Sequence, residues 1–212
     1  YLTGLNLGGE NIAILLDASS SMLSETIIDI YRYRGLAAEL QREAPKWLRA
    51  VKTVEWIIAN LPPRSTFQLI VFNETAQTLN TEGKNAWVKV AEVTAVDRII
   101  ERLSEISPSG GTNLFKAWAK LDELNAPYPD NIILITDGLP TQGEKPLKPG
   151  QRKVTSDERR RYLRKVQAQA GRTTPVNIIL FPLEGDPFAE TDYWEWSQNT
   201  RGSFMTPSAN WP

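Results

Sequence analysis

The sequence contains no cysteine and no histidine. Without cysteine there is no disulfide, no thiolate metal site and no thiol nucleophile. Without histidine, Ser-His-Asp catalysis, imidazole-bound zinc and the commonest general base near neutral pH are excluded. An excess of either charge is missing too: 24 Lys and Arg stand against 25 Asp and Glu, a formal net charge of −1. Bulk electrostatics therefore give no reason to expect nucleic acid or an anionic membrane as partner. No apolar run is long enough to span a bilayer and no signal peptide is visible, so membrane insertion by this segment is not expected. Walker-type and Gly-x-Gly-x-x-Gly loops are also absent. The chain starts at Tyr1 rather than Met, which reads as a processed or excised domain with any anchoring segment outside it. Lack of cysteine suits any compartment.

What remains is an ordinary globular composition, 41% hydrophobic and 23% charged over 212 residues. That length supports one sizeable core. Strand-like and helix-like segments alternate, which predicts an α/β fold with a parallel-dominated, doubly wound sheet covered on both faces. Ile12 to Leu16 has the length and apolarity of a strand buried on both faces. A long helical region over roughly 22–61 follows, interrupted at Pro45, with Trp47, Val51, Val54, Ile58 and Leu61 at core-facing spacing. Its first half, Glu25 to Glu43, is less regular and reads as an elaboration near the site's rim. Thr66–Phe72 is a second strand, with Ala76–Asn80 as a short edge partner across an Asn73-Glu74 turn. Val88–Ile106 is expected to be helical, with Val93, Val96, Ile100 and Leu103 on one face. Leu114, Trp118 and Leu121 mark another helix. Asn131–Asp137 and Pro175–Phe181 are further buried strands. Thr155-Ser-Asp-Glu158 has capping-box form before a helix over 155–170. A short helix over 191–200 and a last strand over 202–206 complete the series. No internal repeat is present.

Three loops concentrate oxygen at the ends of these elements. Asp17, Ser19 and Ser21 follow the first strand at alternate positions; Gly110-Gly-Thr112 opens a helix; Thr136-Asp137-Gly138 ends another strand. Open α/β sheets place ligands outside the carboxyl ends of their strands. Side chains offering only hard oxygen suit a small hard cation. Each piece alone has an ordinary reading: a helix N-cap and first turn for Asp17, Ser19 and Ser21, a turn plus cap for the glycine loop, a strand-end turn for Asp137-Gly138. In register, they form a set.

That set, Asp-x-Ser-x-Ser, a later Gly-Thr and a later strand ending Thr-Asp-Gly, resembles the metal-ion-dependent adhesion site (MIDAS) of von Willebrand factor type A (VWA) domains. Trp194–Phe204 is similar to the family's last helix and strand, so the resemblance spans 1–212 as one domain, apart from apparent insertions at about 24–45 and 141–154. It implies a Rossmann-like, mostly parallel sheet. It also implies one Mg2+ (or Mn2+ or Ca2+), with Ser19 and Ser21 as direct ligands, Thr112 direct or through water, and Asp17 and Asp137 direct or through bound water. The function implied is adhesion or assembly: a protein partner supplies an Asp or Glu carboxylate to the metal. A bacterial source and display on the cell envelope are further implications.

Two other readings stay open. Asp17 with Mg2+ is also similar to haloacid-dehalogenase phosphatases, though Ser19 stands where those enzymes carry a second Asp and no motif supplies their Lys. A scaffold with a purely structural metal is the other. Lys145–Lys165, with nine basic residues against two acids, reads either as a steering surface for an acidic partner or as a solvated helix face and loop. Trp47, Trp56 and Trp118 are expected in the core. Trp194 and Trp196 read as packing or as a contact patch, and Tyr31 and Tyr33 as candidates for a partner surface.

Overall fold

A computed structural model describes residues 4–80, 86–145, 154–208 and 210–212. Its strands share one sheet in the order β3-β2-β1-β5-β6-β7, with β4 also paired to β2. The strands are β1 (Asn11–Asp17), β2 (Thr66–Phe72), β3 (Ala76–Thr78), β4 (Val88–Lys89), β5 (Asn131–Thr136), β6 (Val176–Leu180) and β7 (Phe204–Met205). β1, β2, β5, β6 and β7 run parallel, while β3 and β4 pair antiparallel on the outer side of β2. The sheet is thus α/β, Rossmann-like and mostly parallel, as the alternation of elements predicts.

The period of two sorts each strand between two layers. Ile12, Ile14, Leu16, Ile133, Ile135 and Ile179 join the core on one face, beside α3 (Pro45–Asn60) and α4 (Val93–Ser104). Ala13, Leu15, Ile132, Leu134 and Ile178 join the core on the other, beside α5 (Leu114–Asp122), α6 (Ser156–Ala170) and α7 (Ala189–Asn199). The chain leaves β1 by α3 on the first face and leaves β5 by α6 on the second. Their carboxyl ends therefore open into the crevice where the winding reverses.

Local chemistry sets the boundaries. Pro45 does not interrupt a helix but starts one, at the first position of α3, where its missing N–H costs nothing. Ahead of it lie α1 (Ile27–Arg34) and α2 (Ala38–Arg42), neither with a buried residue. Thr155 and Glu158 exchange both bonds of a capping box at the start of α6.

The expected helix over 88–106 needs correction. β3 pairs with β2 only from Ile70 to Phe72, so the backbone at Thr66 and Phe67 still needs a neighbour. Val88 and Lys89 supply it as β4, and the helix begins at Val93. Its buried residues are Ile99 and Leu103, with Val96 and Ile100 packed behind them, while Val93 faces solvent. The short edge partner ends at Thr78 rather than Asn80, and β7 spans Phe204–Met205 only. Much of the expected 141–154 insertion, residues 146–153, lies outside the described residues, as do Lys148, Arg152 and Lys153.

The tryptophans divide by position. Trp47 and Trp118 are buried, and Trp56 is half-buried with its ring edge-on to Trp211 at 5.3 Å. Trp196 packs on Trp118 at 5.0 Å between centroids, so it belongs to the core, whereas Trp194 is exposed. Tyr31 is exposed, but Tyr33 packs partly against the α3/α4 core.

Gly202, just before β7, is fixed by sterics. A Cβ there would overlap the backbone carbonyl of Val176 in β6. Gly202→Ala is expected to destabilise the chain by at least about 2 kcal/mol, because the backbone in its path cannot rotate aside. Urea unfolding measures this; a wild-type midpoint in the variant would show that β6 and β7 separate without cost.

Candidate metal centre

The five oxygen-bearing residues read from the sequence come together at the carboxyl edge of β1 and β5. These strands are direct neighbours, with Leu16 paired to Ile135. Asp17 and Asp137 therefore follow adjacent strand ends. Asp17 Oδ1 accepts the Ser19 N–H at 2.8 Å, which turns the chain sharply after β1. Asp17 Oδ2 accepts the Thr136 hydroxyl at 2.8 Å, across from β5.

Ser19 then occupies the N-cap of a 3-10 turn, Ser20–Leu23, yet its side chain makes no capping bond. The hydroxyl faces the crevice instead, 3.0 Å from Ser21 Oγ and accepting from Thr112 Oγ1 at 3.0 Å. Ser21 donates to Asp137 Oδ1 at 2.8 Å. Capping does not account for these groups. Nor does Thr112 cap α5: Asn113 does, accepting the Lys116 N–H.

The glycine loop is tied in by backbone. Ser20 N–H donates to the Gly110 carbonyl at 3.0 Å, and Ser109 N–H to the Ala18 carbonyl at 2.9 Å. Gly110 adopts φ +70°, and a Cβ there would press on the Glu74 side chain at 2.7 Å. Only glycine takes that conformation without strain. Thr112 N–H donates to Thr141 Oγ1 at 2.9 Å, and the Thr141 and Gln142 N–H groups return to the Thr112 carbonyl at 3.0 Å. The loop after Asp137 is clasped from behind. Asp186 Oδ2 accepts the Leu139 N–H at 2.7 Å and Arg159 Nη2 at 2.6 Å, Arg159 also donates to the Leu139 carbonyl, and Tyr193 donates to the Gly138 carbonyl at 3.0 Å.

Sequence reading missed one member of the cluster. Lys46, in the first turn of α3, donates to Asp137 Oδ2 at 2.6 Å, with both side chains almost wholly buried. Its sequence signal is its place on an apolar stripe: Lys46, Ala50, Thr53 and Ile57 share the buried face of α3. Asp186 and Arg159 were missed as well, because the clasp joins residues distant in sequence. Two basic residues of the 145–165 stretch are thereby committed to structure: Arg159 to this clasp, and Arg160 to a two-bond pair with Asp192 at 2.7 and 2.9 Å.

Asp17, Ser19, Thr112 and Asp137 are buried and Ser21 is half-buried. Burial first, and then the nearby charge of Asp137, push the Asp17 carboxyl from 3.8 up to about 7, against the opposing bonds from Ser19 and Thr136. Once Asp17 is ionised, two carboxylates against one ammonium leave negative charge to be compensated, which fits a cation. The donors are all oxygen and mostly neutral. Among the described residues no group of three or more His, Cys, Asp or Glu side chains is placed to hold a metal ion, so a cation here would rest on two carboxylates and three hydroxyls.

A family model described as von Willebrand factor type A domain matches residues 44–148. That span includes Lys46, Thr112 and Asp137 and begins after Ser21. Inter-alpha-trypsin inhibitor heavy chain H2 of Mesocricetus auratus is 29% identical over 119 aligned residues, covering 51% of this chain and 12% of that protein. Among solved structures, von Willebrand factor type A from Catenulispora acidiphila aligns with 95% of this chain and 39% of its own, at TM-score 0.61 and 15% identity. Proximal thread matrix protein 1 from the mussel byssus, with a zinc-occupied MIDAS motif, aligns with 94% of this chain and 44% of its own, at TM-score 0.53 and 14% identity. This chain thus spans well under two thirds of each of these relatives.

The elevated Asp17 carboxyl has a consequence for stability. An unfolded aspartate releases its proton near 3.8, whereas the folded group holds it to about 7. Between these values the folded state binds the extra proton, so this group's stabilisation is fully present below the lower value and lost as pH rises through the upper one. In chelator, Asp17→Asn is expected to gain stability relative to wild type as pH is raised across that window, and the difference should level off above it. Thermal unfolding against pH reads this. A pH-independent difference would show that Asp17 ionises normally.

Proposed function

The chain is a von Willebrand factor type A domain, and from that premise we propose that it is a divalent-cation-dependent protein-binding module that recognises an acidic side chain of its partner. Domains of this family are commonly interaction modules built around a MIDAS. The observation that carries the reading is the hydrogen-bonded chain Thr112–Ser19–Ser21–Asp137, with Asp17 beneath it. Ser19, Ser21 and Thr112 present hydroxyl oxygens, and Asp17 and Asp137 supply the negative charge. An all-oxygen set favours Mg2+, with Mn2+ or Ca2+ as alternates, over softer ions. When bound, the cation supplies positive charge and an open position for an outside oxygen. Neutral hydroxyls leave that charge undercompensated, so a partner's Asp or Glu carboxylate is attracted. Ser21, the half-buried member, lies nearest to solvent. A cavity of about 530 Å³ also opens beside Asp137, but Asp137, Asp186 and Glu190 line it and none of the three hydroxyls does, so it is not where an acidic side chain would enter.

Phosphoryl transfer in the haloacid-dehalogenase manner is disfavoured by the same geometry. Asp17 is fully buried and both its oxygens are engaged, by the Ser19 N–H and the Thr136 hydroxyl. A nucleophile must be reachable by its substrate, and this carboxyl has no exposed surface. Lys46 does reach the site, but its bond is to Asp137 and not to Asp17.

Calorimetric titration of chelator-stripped protein with Mg2+ and Mn2+ tests the reading. One saturable site is expected, weakened at least about tenfold in Asp17→Ala and in Thr112→Ala with the fold retained. A folded wild-type chain that takes up neither ion would sink it.

A further inference from the structure

Lys46 has no part in the oxygen set, yet its charge is the closest compensation for that set. Its ammonium makes three bonds: to Asp137 Oδ2 at 2.6 Å, to the Ser21 carbonyl at 3.1 Å and to the Ser24 carbonyl at 3.0 Å. Three donors are all an ammonium has, so none is left for the hydroxyls. The other oxygen of Asp137, Oδ1, accepts from Ser21 Oγ at 2.8 Å. One carboxylate thus separates the lysine from the hydroxyl cluster, with one oxygen committed to each side.

We propose that Lys46 is a positioning and charge-setting residue: it fixes which oxygen of Asp137 faces the hydroxyls, and its charge weakens cation binding while strengthening carboxylate capture by the loaded site. The inference rests on the cation-site reading above. With both aspartates ionised, two carboxylates and one ammonium carry a formal charge of −1, and a divalent cation brings it to +1. Without Lys46 the same addition runs from −2 to zero. At short range from an almost wholly buried Lys46–Asp137 pair, one unit of charge matters to both steps, and in opposite directions. The loaded site with Lys46 attracts an incoming carboxylate; without it the attraction is confined to local dipoles. A lysine that merely braced the Ser21–Ser24 turn would have another signature. Its loss would weaken cation and carboxylate binding together.

Calorimetry on the full chain separates these cases, using Mg2+ alone and then acetate added to the Mg2+-loaded protein. Lys46→Met is expected to bind Mg2+ at least about tenfold more tightly and acetate several-fold more weakly than wild type. Asp137→Asn should weaken Mg2+ binding, and the double variant Lys46→Met/Asp137→Asn should recover part of that loss, because it restores the wild-type formal charge. Should Lys46→Met fail to fold with Asp137 left unpaired, the comparison of Asp137→Asn with the double variant decides alone: tighter Mg2+ in the double supports the inference, and equal or weaker binding overturns it. Equal or weaker Mg2+ binding in folded Lys46→Met, with wild type binding normally, overturns this inference and leaves the site intact. No Mg2+ uptake by either protein overturns both.

Discussion

Two carboxylates of like charge, closed off from water at the ends of adjacent parallel strands, are the constraint on which the upper half of this molecule depends. Asp17 and Asp137 follow β1 and β5, which pair directly. Burial, and then the nearby charge of Asp137, disfavour the charged form of Asp17. The surroundings answer with oriented dipoles and one opposite charge. Ser19 N–H and the Thr136 hydroxyl bond Asp17, while Ser21 and Lys46 take one oxygen each of Asp137. Removing any one of these would leave a buried charge less satisfied, which costs far more than the net gain from making the bond.

The loops that carry these groups are held from outside the site. The glycine loop is bonded on one side to the turn after β1 and on the other to Thr141 and Gln142. The turn after Asp137 is gripped by Asp186, Arg159 and Tyr193, which come from three later segments of the chain. This support leaves the hydroxyls of Ser19, Ser21 and Thr112 free of capping or turn-forming duties, able to face the crevice together. Preorganisation of that kind lowers the ordering cost of binding.

The rim is built differently. α1 and α2 bury none of their residues; with the turn between them they expose Ile28, Tyr31, Leu36 and Leu40. They touch the rest of the chain through a few anchors, such as the Ile27 N–H bonded to Glu184 and Tyr33 packed against the α3/α4 core. A densely hydrogen-bonded centre thus stands beside a rim that leaves apolar side chains in solvent.

The sequence by itself determined the layered α/β plan, because a buried parallel strand leaves an apolar run such as Ile12–Leu16 that no surface element would carry. It also marked five oxygen-bearing side chains that the fold brings to one edge, since Asp17, Ser19, Ser21, Thr112 and Asp137 each sit at a recognisable strand end or helix start. Local signals sufficed there: the capping box at Thr155, Pro45 beside a helix boundary, and Trp47 and Trp118 at helical spacing. Tertiary structure decided whatever depended on partners far along the chain. Val88–Lys89 became a strand because β2 lacked a neighbour at Thr66 and Phe67, not because of its own propensity. Trp196 went inside and Trp194 outside because only one of them meets Trp118. Lys46 reaches Asp137 across 91 residues, and Arg159 reaches Asp186 across 27. Periodicity can mark Lys46 as buried, but not its partner: a charge is drawn to a buried opposite charge by proximity in space, and proximity in space is set by the fold.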